Sequence, residues 1–139
     1  MTLIIITSYY LSILISIIGF GYFSARILNI NIFSKDLMLF GFLGIIILTF
    51  LSYFTNLFVA HNFIHNIFLL LVGLIFFLYG CVKKDIDKIS SYKIILLATA
   101  LLSLSLLSKT HDDFGWYHLP YTLNLSENKL QFGLGHFNH

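Results

Sequence analysis

From Leu37 to Val82 the chain runs 46 residues without a Lys, Arg, Asp or Glu. A water-soluble core does not need so long an uncharged apolar run, whereas about twenty residues rising 1.5 Å each cross a hydrocarbon layer roughly 30 Å thick. The stretch therefore holds two crossings. Its only polar break is His61-Asn62-Phe63-Ile64-His65-Asn66, which predicts a helical hairpin with spans over 37–59 and 64–82.

Residues 1–25 are also free of these four residue types and predict a further span over 3–25. This segment lacks the basic start, short apolar centre and small-residue cleavage site of a secretory signal, so it reads as a retained span. A fourth span is expected over 92–108, where the uncharged stretch between Lys93 and Lys109 is only 15 residues long. Tyr92 and the two lysines must then lie at the interfaces, the lysines extending their ammonium groups toward water. Ala98, Ala100, Ser103 and Ser105 fall along this span, and small residues let helices approach closely in lipid.

With 58% hydrophobic and 10% charged residues, the expected fold class is an all-α integral membrane protein of about four transmembrane helices followed by a loop with a short interfacial helix. The membrane region covers residues 1–108 and the loop 109–139. Membrane lipid is thus a partner, while a net charge of +2 scattered between apolar segments excludes a nucleic-acid footprint. The lone Cys81 allows no internal disulfide and reads as a small buried apolar side chain. No repeat or low-complexity linker is present, and the KKDIDK stretch at 83–88 reads as a solvated loop.

Basic residues give the expected orientation. Arg26, Lys35, Lys83, Lys84, Lys88 and Lys93 flank one side of the spans, and only Lys109 and Lys129 the other. The side richer in Lys and Arg faces the cytoplasm. The N-terminus, the hairpin tip near residues 60–63 and everything after Ser108 are then outside, together with all six histidines.

That outer tail concentrates the polar chemistry. Asp112 and Asp113 follow the fourth span directly, and a carboxylate near the headgroups is partly desolvated and suited to act as a general base. The simpler reading of Thr110-His111-Asp112-Asp113 is a helix-capping pattern. Phe114, Trp116, Tyr117, Leu119, Tyr121, Leu123 and Leu125 read as a short amphipathic segment lying in the interface. Pro120 disfavours the helical conformation at Leu119, so a helix here kinks or restarts at Pro120 and the tail forms two short pieces. His111, either aspartate and His118 are donors that zinc or manganese accepts, and His136 and His139 are three apart, but the spacing matches no familiar zinc pattern. The metal site is therefore unknown; no cofactor is required and a divalent metal stays open. His61 and His65, four apart, share a face toward the same outer surface, with two interfacial polar residues as the simpler reading. Gly133-Leu134-Gly135 permits a tight turn before His136.

The stretch DFGWYHLP at 113–120, followed by GLGHFNH at 133–139, resembles the first large outer loop of a group of bacterial multi-pass proteins that look like GT-C-type glycosyltransferases. Their pattern runs D-x-x-x-Y-H and then P-G-L-G with a polar, His-containing end; here Phe132 stands in place of the proline, which bears on the turn rather than the carboxylates. The resemblance covers about the last thirty residues. It implies an enzyme of the bacterial inner membrane that moves a sugar from a polyprenyl-phosphate donor to an acceptor on the outer face. The base would fall on Asp112 or Asp113, with Tyr117, His118 and His136 as substrate-binding candidates. Such proteins are several times longer, so the resemblance also implies that these residues are an N-terminal part, inactive alone. The competing expectation is a non-enzymatic four-span protein, a transporter or complex subunit, whose outer tail docks a partner. An ion pathway is disfavoured because the spans carry no ionisable interior residue.

Overall fold

The computed structural model describes residues 2–30, 36–86, 88–107 and 112–130. They form α1 (Thr2–Ile27), α2 (Leu37–Asn56), α3 (Phe63–Val82), α4 (Lys88–Leu107), a short 3-10 turn (Asp112–Phe114) and α5 (His118–Glu127), with no strand among the described residues. Three helices, α1 to α3, are long and apolar enough to cross a membrane. Helix α4 is as long as α2, but its apolar stretch is the shorter Tyr92–Leu104.

The caps explain where the helices begin and end. Asp36 opens α2 by accepting from the Met38 amide at 2.9 Å, and Asn62 opens α3 by accepting from the His65 amide at 3.0 Å. At the other ends, α1 and α3 close alike. Asn29 (φ 51°) and Lys84 (φ 59°) take the left-handed conformation, and the amides of Ile30 and Asp85 reach back to the carbonyls of Ala25 and Gly80 at 3.0 and 3.1 Å. Hydroxyls within the apolar helices bond to their own backbone: Ser12 to the Ser8 carbonyl, Thr49 to that of Ile45 and Thr99 to that of Ile95. Each of these three hydroxyls is thereby satisfied within its own helix.

Helix α1 is the hub, packed between α2 and α3, with α4 touching α1 and α2 more lightly. Glycines make the close approach. A Cβ on Gly19 would strike the Gly73 carbonyl of α3, and one on Gly44 would strike the Ile17 carbonyl of α1. In lipid, where no hydrophobic effect drives helices together, such backbone proximity supplies the packing. Phe23 stacks on Phe76 at 3.9 Å, and Ile18, Tyr22, Ala25, Leu37, Phe40 and Ile86 form the buried cluster. Most large apolar side chains instead face outward: α1 buries 28% of its apolar window, α2 17% and α3 11%. That arrangement suits hydrocarbon as the solvent.

Three expectations change here. Small-residue packing centres on the glycines of α1, α2 and α3; on α4 Ala98 is buried, whereas Ala100 and Ser103 are exposed. Cys81 is exposed, because it lies about 100° around α3 from Gly80, which meets Tyr22 and Ile86. The KKDIDK loop is more than solvated. Asp85 accepts from the Tyr22 hydroxyl at 2.7 Å and pairs with Arg26 at 3.2 Å, and Ile86 is buried in the core cluster. Arg26 also lies over the Tyr79 ring, 5.3 Å from its centroid, so the ends of α1 and α3 are tied at the basic end of the bundle.

Candidate functional site

The opposite end carries the polar chemistry. The α2–α3 connection covers residues 57–62, and α5 docks against it through two backbone bonds: the His61 amide to the Leu125 carbonyl and the Leu130 amide to the Asn56 carbonyl, both 2.9 Å. Each bond satisfies a group that a helix end or a turn would leave open. The tail is therefore built onto the hairpin tip.

Between them lies a cavity of about 430 Å³. Its walls are aliphatic, from Ile17 of α1, Ile45 and Leu48 of α2 and Leu69 of α3. Tyr121, Leu125 and Leu130 close the tail side, and a polar stripe of α2 (Thr49, Ser52, Tyr53 and Asn56) joins His61 at the tip end. Among the described residues no Lys, Arg, Asp or Glu lines it.

His61 is held on both ring nitrogens. Its Nδ1 lies 3.3 Å from the Ser52 hydroxyl and its Nε2 3.2 Å from that of Thr55. Thr55 donates its own proton to the Ser52 carbonyl at 3.2 Å, so the consistent assignment has Nε2–H donating to Thr55 and Nδ1 accepting from Ser52. The His65 ring stacks parallel at 4.6 Å. Partial desolvation, and then the neighbouring His65, push the His61 pKa below its ordinary 6.5, against the opposing pull of Ser52. The ring is neutral at pH 7. The two histidines do stack, but only His65 belongs to α3; His61 precedes it in the connection.

Asn56 stands out in this lining. It is 2% exposed, and neither its carboxamide oxygen nor its nitrogen has a hydrogen-bond partner among the described residues.

The residues singled out in the tail lie at the other end of α5. Asp112 and Asp113 form the 3-10 turn with Phe114, and the Asp113 carbonyl accepts from the amides of Trp116 and Tyr117 at 3.2 and 3.0 Å. Asp113, Trp116, Tyr117 and His118 are exposed, and Tyr117 caps α5 without a side-chain bond. Asp113, Tyr117 and His118 are thus neighbours along the chain, and none of them lines the cavity. His136, with His111, His139 and the Gly133–Gly135 turn, lies outside the described residues. No group of three metal-donating side chains gathers among the described residues.

Thr110 and His111 of the capping pattern lie outside the described residues, while Asp112 and Asp113 lie in the 3-10 turn. One local expectation changes. Pro120 sits within the first turn of α5, with Leu119 ahead of it in the helix rather than outside. A first-turn proline forfeits no intrahelical bond, since its N–H would have no partner there. The 3-10 turn and α5 therefore part ahead of His118, not at Pro120.

The cavity and Asn56 escaped the sequence reading, although a signal existed: Thr49, Ser52, Tyr53 and Asn56 recur at i, i+3, i+4 and i+7, which puts them on one helix face. No family model matches the chain, and neither does any curated protein or solved structure.

Proposed function

We propose that this chain forms a four-pass bundle of the bacterial inner membrane, its hairpin tip and tail on the outer face, and belongs to a GT-C-like glycosyltransferase acting on a polyprenyl-phosphate sugar. In this reading Asp112 or Asp113 takes the proton of an acceptor hydroxyl as that oxygen bonds to the anomeric carbon. The bond from the anomeric carbon to the donor phosphate breaks, and the phosphate leaves on its lipid. Tyr117, His118 and His136 would contact substrate. One observation supports the reading: the turn carrying Asp112 and the exposed Asp113 comes a few residues after α4 in the chain and leads into α5, which is anchored on the hairpin tip.

The test replaces Asp112 and Asp113 singly by Asn in the full-length enzyme that this reading implies and follows transfer of labelled sugar from a polyprenyl-phosphate donor in membranes of the producing cell. The expected result is a loss of about 10²–10⁴-fold for the base and a smaller loss for its neighbour, with insertion unchanged. Equal activity in both variants and wild type contradicts the reading.

A second reading, a non-enzymatic subunit with a docking tail, is favoured by the exposed row Trp116, Tyr117, Leu119, Tyr121 and Leu123. It predicts that the Asn variants, like Trp116→Ala, lose partner association by degrees rather than abolishing function.

A further inference from the structure

The cavity at the hairpin tip has an apolar body and one unmet polar demand. Buried amides are normally paired, and an unpaired one is costly in any low-dielectric surrounding. Asn56 carries both a donor and an acceptor, and although neither atom is reachable from the cavity as the chain stands, a turn of its side chain would bring one of them to an occupant. A hydroxyl complements it, being donor and acceptor in one atom. An anion does not, because among the described residues the lining offers no Lys or Arg, and His61, with both nitrogens engaged, is biased toward its neutral form. The aliphatic walls from Leu48, Leu69 and Leu125 suit a hydrocarbon chain, and the volume lies within the range of small-ligand sites.

We infer that this cavity binds an uncharged single-chain amphiphile of the long-chain alcohol class, its hydroxyl on the Asn56 carboxamide and its chain among Leu48, Leu69 and Leu125. The site stands apart from the acidic turn and does not rest on the transferase reading.

The test uses the full chain in lipid nanodiscs with a mid-chain diazirine derivative of hexadecanol, irradiated and mapped by peptide mass spectrometry. Labelling is expected to saturate and to fall on segments carrying Leu48, Leu69 or Leu125. Unlabelled hexadecanol should compete at least about tenfold better than palmitate or hexadecyl phosphate, because only the alcohol enters without an uncompensated charge. Asn56→Leu should cut labelling at least about tenfold while melting at or above the wild-type temperature, since it removes the unpaired amide. Leu48→Trp, which fills the cavity from its wall and leaves Asn56 in place, should cut labelling equally and decides the matter if Asn56→Leu does not fold. Unsaturable labelling, the mark of bulk partition into the bilayer without a defined site, overturns the proposal. So does undiminished labelling of Asn56→Leu, or equal competition by the two anions.

Discussion

His61 joins the hairpin tip, the cavity and the tail through one residue: its ring to Ser52 and Thr55, its amide to Leu125. Because its folded pKa lies below 6.5, the unfolded chain takes up a proton first as pH falls. The folded state is thus at full stability above about 6.5 and loses stability as pH drops through 6.5 toward the lower folded value. Thermal melts at pH about 7.5 and about 5.5 should show a smaller acid-induced drop in His61→Gln than in wild type. Equal drops would mean that other groups carry the acid response. Asn56 has the opposite character, since its carboxamide has no partner among the described residues. The residue scale is also where sequence reading reached least. Histidines and aspartates announce chemistry by type, but the burial of Asn56 depends on a tail more than sixty residues later in the chain that docks by backbone bonds no side-chain pattern records.

Helices α1, α2 and α3 emerge within a few residues of the limits set by charge-free length, because a lipid-crossing helix needs apolar residues all round and charges stop it. Their pairing was hidden. Glycine in an apolar run is ambiguous until its facing helix is known, and only the assembled bundle shows Gly19 against Gly73 and Gly44 against Ile17. Gly73→Ala should destabilise the bundle by about 1–3 kcal/mol or more, since the added methyl meets the backbone of Ser16. Gly115→Ala, with nothing within 4 Å, should leave the unfolding midpoint in denaturing detergent unchanged. Lys84 closes α3 at φ 59°, a conformation costing a side-chain-bearing residue about 1–2 kcal/mol. Lys84→Gly should therefore raise the same midpoint, and a lowered one would show that the lysine side chain contributes more than the backbone loses.

Across the whole molecule the two ends are chemically distinct. Arg26, Lys83 and Lys84 cluster where α1 and α3 close, while the histidine pair, the cavity and the docked α5 occupy the other end. The basic count along the chain already separated these ends, and the docking of the tail on the hairpin tip brings Lys129 to the side that count assigned it. The proposed function needs that second end to be outside, where a lipid-borne sugar is presented to the acidic turn. The direct measurement is labelling of intact cells with a membrane-impermeant maleimide, in a Cys81→Ser background carrying Trp116→Cys or Lys84→Cys. Both positions are exposed in the fold. The account predicts that position 116 labels in intact cells and position 84 only after permeabilisation; the reverse pattern, or labelling of both from the same side, would contradict it.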